Sequence, residues 1–157
     1  NLEILRIDQS IPPRLGAGVE DLSPLSNMPR LRTFSAHRNR IDDLIPMSGL
    51  TSLSNLGLSN NLIVDLSPIA NNTTFFTTFS FSNNLITDLN PLTLNANFRG
   101  MTLDLSGNPL SELAQCFQLP VIRSRGTEVV FTVTADCEKT GKMSDPSNGG
   151  EKSPAAD

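Results

Sequence analysis

Apolar residues in this chain come in short alternating bursts, and each burst runs out at an asparagine. In Leu53-x-x-Leu56-x-Leu58-x-x-Asn61 the residues at 56 and 58 share a face, as they would on a strand with one side buried. The segment then continues as Ile63-x-Asp65-Leu66-x-Pro68-Ile69. An earlier copy holds Leu31, Phe34, Ala36, Asn39, Ile41, Asp43, Leu44, Pro46 and Met47, so that Leu53 stands one period after Leu31. A later one holds Phe76, Phe79, Phe81, Asn84, Ile86, Asp88, Leu89, Pro91 and Leu92, one residue further on. Internal repeats of this period predict a solenoid, in which each unit buries its apolar face only against its neighbours.

Two imperfect copies flank these three. Copy one reads Leu2, Leu5, Ile7, Ser10 and resumes at Val19, Asp21, Leu22, Pro24, Leu25; the residues between, 11–18, are dense in proline and glycine and read as an inserted loop. The terminal copy reads Leu103, Leu105, Asn108, Leu110, Leu113, with Glu112 in the aspartate position and no proline. The pairs Leu5/Ile7, Phe34/Ala36, Leu56/Leu58, Phe79/Phe81 and Leu103/Leu105 should stack as two apolar columns. Asn39, Asn61, Asn84 and Asn108 should form a ladder of side-chain amides bridging backbone groups of adjacent coils, with Ser10 a weaker substitute.

The return half of each unit carries Ser23-Pro24, Ser67-Pro68 or Asn90-Pro91, a capping residue ahead of a proline suited to a first helical position. Short 3₁₀ turns are expected there; in copy two Ile45 precedes Pro46, so that cap is missing. After Asn108 the repeat decays into a short helical passage broken at Pro120, a turn at Arg125-Gly126 and a strand over 127–133. That strand should close the array with Val129 and Phe131 under Leu103 and Leu105. Residues 138–157 contain only Met143, Ala155 and Ala156 as apolar side chains and read as a linker or tail. The division is a solenoid over 1–133, about five coils and a closing strand, followed by 134–157.

Composition narrows the function. The net charge of −4 is modest, arginines are scattered without interleaved aromatics, and Trp and Tyr are absent. This argues against a nucleic-acid groove. No apolar run reaches the roughly 18 residues of a membrane span. The chain begins inside a repeat, without a signal peptide, and reads as the C-terminal piece of something longer.

The motif L-x-x-L-x-L-x-x-N-x-I-x-D-L-x-P-L resembles the 22-residue leucine-rich repeat, a subclass found in eukaryotic phosphatase-regulator proteins and in bacterial surface proteins of the internalin type. The resemblance covers roughly residues 2–133. The ending, Asn108-Pro109-Leu110 and then Pro120-x-Ile122-x-x-Arg125-Gly126-Thr127-Glu128-Val129-Val130-Phe131, is similar to the closing segment of bacterial leucine-rich-repeat proteins. It implies an α/β solenoid with a parallel β-sheet on the concave face and short 3₁₀ turns on the convex face. It also implies a protein partner bound on the concave sheet, often at a cell surface.

Chemistry beyond binding is sparse. His37, the one histidine, stands on the concave face beside Arg38 with no second catalytic element, and reads as a surface histidine that contacts ligand. Asp21, Asp43, Asp65 and Asp88 recur once per coil, but a calcium site needs several oxygens on one loop, and capping the convex turns accounts for them. Asn71-Asn72-Thr73-Thr74 holds two overlapping glycosylation sequons, which matter only in a eukaryotic secretory pathway; a convex Asn/Thr-rich loop is the plainer reading. Cys116 and Cys137 flank the closing strand. A bridge would staple the end and imply an oxidising compartment; alternatively Cys116 is a buried small hydrophobe and Cys137 incidental. No cofactor, metal or enzymatic activity is expected.

The functional candidate is the outward side of the strands: Ile4, Arg6, Asp8; Thr33, Ser35, His37; Asn55, Gly57, Ser59; Thr78, Ser80, Ser82; Thr102, Asp104, Ser106. Its middle is small and uncharged. Arg32, His37, Arg38 and Arg40 gather near copy two, and no Lys or Arg occurs over 41–98. The function expected is protein–protein recognition as part of a larger surface or secreted protein. The alternatives are a structural spacer and an intracellular regulatory scaffold.

Overall fold

In the computed structural model, residues 2–9, 18–70 and 77–140 are described. Ser10, nearly all of the inserted segment of copy one, the stretch 71–76 with its sequons and Phe76, and the sequence from 141 onward lie outside them. Six short strands form one parallel sheet in sequence order. They are β1 (Ile4–Arg6), β2 (Thr33–Ser35), β3 (Asn55–Gly57), β4 (Thr78–Ser80), β5 (Thr102–Asp104) and β6 (Glu128–Val130). The register pairs Leu5, Phe34, Leu56, Phe79, Leu103 and Val129 across the sheet. Val129 therefore does lie beside Leu103, and the Leu105 amide donates to Val130 O (3.0 Å).

Each strand turns one apolar side chain inward and the residue two further on follows it. Phe34, Leu56, Phe79 and Leu103 make one buried column; Ala36, Leu58, Phe81 and Leu105 make the second. Leu5 and Ile7, at the edge of the sheet, are only partly buried. In the fourth coil the extra volume is filled by aromatic rings, with Phe79 edge-on to Phe81 and to Phe98, each at 5.5 Å.

The asparagines bind the coils to one another. Asn61 Nδ2 donates to Ala36 O (3.0 Å) in the coil before and to Leu58 O (3.0 Å) in its own, while its Oδ1 accepts the Ile41 amide (3.0 Å). Asn84 repeats this with Leu58 O, Phe81 O and the Ile63 amide. Asn108 does so with Phe81 O, Leu105 O and the Ile86 amide. Asn39 reaches Ile7 O, His37 O and the Val19 amide. All four asparagines are buried. The residue before each, at 38, 60, 83 and 107, has a left-handed backbone, with φ of 58, 60, 54 and 72°. Asparagine or glycine tolerates that region; copy two places Arg38 there.

The convex turns are 3₁₀ at Ser23–Asn27, Ile45–Met47 and Ser67–Ile69. The step from β4 to β5 (Thr78 to Thr102) is longer than that from β2 to β3 (Thr33 to Asn55), and there the turn becomes a short α-helix, α1 (Asn90–Leu94). Capping differs from the sequence expectation. Ser23, Ser67 and Asn90 make no side-chain cap; instead the aspartate two residues earlier accepts the turn's first amide. Asp21 takes Ser23 N (2.7 Å), Asp43 takes Ile45 N (2.7 Å), Asp65 takes Ser67 N (2.8 Å) and Asp88 takes Asn90 N (3.0 Å). The copy with Ile45 therefore has its cap after all. An aspartate oxygen bonding the amide two residues on is the Asx arrangement, and it needs no help from the residue before the proline.

The closing segment also differs. Pro120 does not break the helical passage: a π-helical turn, Ala114–Gln118, passes directly into α2 (Leu119–Ser124). The wider turn lies just ahead of a residue that has no amide hydrogen to give and whose ring crowds the carbonyl four back. Buried Gln115 and Gln118 take over where there is no further coil. Gln118 accepts the Leu89 amide (2.7 Å) and donates to Asp88 (2.6 Å). Gln115 donates to Leu110 O (2.8 Å) and accepts the Thr134 and Ala135 amides (2.7 and 3.0 Å). Arg125 donates to Leu92, Thr93 and Asn95 carbonyls at the end of α1. Gly126 follows it at φ 77°, the left-handed turn into β6. The packed structure runs past residue 133, through Cys137 and α3 (Cys137–Thr140), and Cys137 is joined to Cys116 by a disulfide.

Two measurements follow. Asn61→Ala strands two carbonyls and an amide, and a denaturant melt should show a loss of about 1–3 kcal/mol, against no change for exposed Ser48→Ala; an unshifted Asn61→Ala would refute the ladder's role. Replacing Cys116 and Cys137 together by serine opens a 21-residue loop and should lower stability by about 3 kcal/mol. The unreduced protein should show no free thiol under denaturant; two titratable thiols would rule the bridge out.

Candidate functional site

Strand alternation sends the remaining side chains to the concave side, and the register arranges them in rows running from coil to coil. One row is Ile4, Thr33, Asn55, Thr78, Thr102; the next is Arg6, Ser35, Gly57, Ser80, Asp104. A third, one step beyond the strands, is Asp8, His37, Ser59, Ser82, Ser106. The sequence-predicted site residues thus fall on one continuous face, and not all are equally available. Ser59 and Ser82 are buried, with Ser82 Oγ donating to Ser59 Oγ (2.9 Å), so they are part of the floor and not contact residues. Thr78 is exposed, and Thr33, Ser35, Asn55, Ser80 and Asp104 are half-buried.

The rows sag at Gly57. A shallow depression of about 340 Å³ lies there, bordered by Arg6, Asp8, Ser35, His37, Asn55 and Thr78. His37 is not a free surface side chain: its Nδ1 accepts the Ser59 amide (3.1 Å) and its own amide donates to Asp8 Oδ1 (2.8 Å). Ser35 Oγ donates to the same Asp8 oxygen (2.6 Å). The ring leans across Gly57, where a Cβ would stand only 2.6 Å from His37 Nε2. Further along, Ser106 Oγ donates to Asp104 (2.7 Å) and Thr77 Oγ1 donates to Asn55 Oδ1.

Partial burial works against the Asp8 carboxylate. The Ser35 hydroxyl, the His37 amide and the neighbouring positive charge of Arg6 outweigh it and hold its pKa below the usual carboxyl value. Two of the clustered arginines are occupied, Arg40 with Glu20 (2.8 Å) and Arg32 with Glu3 (3.9 Å). Among the described residues no three His, Cys, Asp or Glu side chains lie where they could share a metal ion. Nor is any helix there long and apolar enough to cross a membrane.

Sequence reasoning missed one surface. Leu62, Val64 and Leu85 are exposed on the flank between the concave and convex sides. The signal was the unbroken triplet Leu62-Ile63-Val64, in which only Ile63 can point inward.

No protein-family model matches the sequence, and no curated protein matches it. Solved structures do. An internalin (inlF) of Listeria monocytogenes superposes with a TM-score of 0.62 at 24% identity, over 74% of this chain and 34% of that one. Internalin C2 (inlC2) of the same species gives 0.61 at 29% identity, over 72% of this chain and 47% of that one. This chain thus spans about a third and about half of their lengths. The fold is a leucine-rich-repeat solenoid, the architecture of a protein-interaction module and not of an enzyme. Among such solenoids it resembles those of the internalins, with its parallel sheet on one side and its short turns on the other.

The lowered pKa of Asp8 has a signed consequence. Stability from its bonds is complete above the usual carboxyl value of 3.8 and is lost as the pH falls below it, through the lowered native value. Ser35→Ala should raise the Asp8 pKa toward 3.8, read by side-chain carboxyl NMR. An Asp8 titration unmoved by that substitution would show that the hydroxyl is not what holds it down.

Proposed function

We propose that this chain binds a protein partner on its concave sheet and acts outside the cell or at its surface. The observation that carries the reading is the set of coil-to-coil rows centred on the depression at Gly57, with Arg6, Asp8, Thr33, Ser35, Asn55, Thr78, Ser80 and Asp104 offering polar atoms to an incoming surface. His37 borders the depression and leans over Gly57. Small side chains leave a smooth trough, and insertions and rows in repeat arrays gather on the binding side. The Cys116–Cys137 bridge supports an oxidising compartment and weighs against the intracellular scaffold. The likeness to internalins supports the same reading.

His37→Glu is a poor probe, because it removes the acceptor of the Ser59 amide. A photo-crosslinking amino acid at Thr78 or Thr102 is preferable, with Ser48 on the convex side as the comparison. Incubated with intact cells and irradiated, the concave positions should give a discrete adduct and Ser48 none. Arg6→Glu with Thr78→Glu should lower adduct yield about tenfold with an unchanged melting temperature. Adducts from Ser48 alone would put the interface on the wrong face.

A further inference from the structure

The depression at Gly57 has a chemical preference written into its hydrogen bonding. A backbone amide can only donate, so the nitrogen of His37 that receives the Ser59 amide, Nδ1, carries no hydrogen. The ring hydrogen is therefore on Nε2. That atom sits over Gly57, in the space a side chain at 57 would occupy, and it meets no acceptor among the described residues. The absence of a side chain at 57 makes room for the imidazole, and the Ser59 bond fixes Nε2 as its donor.

The neighbouring anion is already engaged. Asp8 Oδ1 accepts both Ser35 Oγ and the His37 amide, which holds it on the coil-one side of Ser35. Arg6 forms no ion pair among the described residues, although its charge acts on Asp8, whereas Arg32 and Arg40 are paired. Of the two charged side chains that border the depression, Arg6 and Asp8, only the aspartate is held by hydrogen bonds, which leaves the exposed guanidinium to meet an incoming anion.

We propose that this depression receives an acidic side chain of the protein partner, an aspartate or glutamate. His37 Nε2–H donates to the incoming carboxylate, and Arg6 supplies its charge partner. The proposal rests on the concave-face reading and names the chemistry of the residue bound there. A carboxylate accepts from both donors at once, and charge-assisted hydrogen bonds of this kind are the strong ones. An amide or ammonium group would leave either the donors or the charge unanswered.

The test uses short random peptides with amidated C-termini, displayed and selected against the whole chain, then resynthesised and titrated by fluorescence anisotropy. The selected peptides should share an Asp or Glu. Changing it to Asn or Gln should weaken binding to the wild-type chain about tenfold. The same change should matter little on Arg6→Ala, whose fold is untouched because the side chain is solvent-facing. Gly57→Ala, which seats a Cβ against His37 Nε2, should weaken the acidic peptides as well. Selection of no binder, of binders without an acidic residue, or an equal acid-to-amide loss on wild type and Arg6→Ala each overturns the proposal. Peptides indifferent to the acid-to-amide change but lost on Thr78→Glu would overturn it while leaving the concave-face reading standing. Peptides insensitive to both sets of substitutions would overturn both.

Discussion

A chain that leaves a parallel strand and turns inside a packed solenoid strands backbone groups where water cannot reach them. Here those groups are Ala36 O, Leu58 O and Phe81 O, one on each of three successive coils, and the Ile41, Ile63 and Ile86 amides on the strand exits. One side chain must accept once and donate twice within a short reach, and asparagine does this. Its geometry fixes the distance from the strand to the turn, so the spacing from the inward pair to the asparagine never varies in the central coils. Length variation is pushed into the return half. The strand-to-strand step lengthens from Thr33–Asn55 to Asn55–Thr78 to Thr78–Thr102 without disturbing the sheet. The same demand recurs past the last asparagine. Gln115 and Gln118, one methylene longer, reach the groups that a further coil would have served.

The parts of this fold that were legible in the sequence are those locked to the repeat. The inward pairs, the asparagines and the convex prolines occur at fixed phase, and a period is visible without any knowledge of contacts. What was illegible depends on which of two chemically similar neighbours the backbone selects. Serine before proline and aspartate two residues earlier can both cap a turn. The chain enters through Leu22, Leu44 and Leu66 near φ −99° and ψ 0–5°, and from there it is the aspartate oxygen that meets the amide. The helix through Pro120 was hidden for a related reason, since the π-helical turn ahead of the proline buries Gln115 and Gln118, whose partners lie on distant segments.

The site was legible as a face and not as a surface with relief. Alternation places Ser59, Ser82, His37 and Gly57 on one side of the sheet, but says nothing about contacts between coils. The Ser82–Ser59 bond buries two residues that look exposed in the strand pattern. The lean of His37 over Gly57 joins residues of neighbouring coils and sets a donor within the hollow. The register of neighbouring strands brings these pairs together, and that register is a property of the stacked array.

The disulfide sets a load path. Tension applied to the chain beyond Cys137 crosses the sulfur bridge to Cys116 and enters the solenoid through the π-helical turn. Residues 117–136, with α2 and β6 among them, sit inside a covalent loop and carry none of that force. The closing strand, which has a neighbour on one side only, is therefore the part of the sheet that pulling cannot peel away first. Whatever lies downstream is tethered to the asparagine-laced body of the protein and not to its edge.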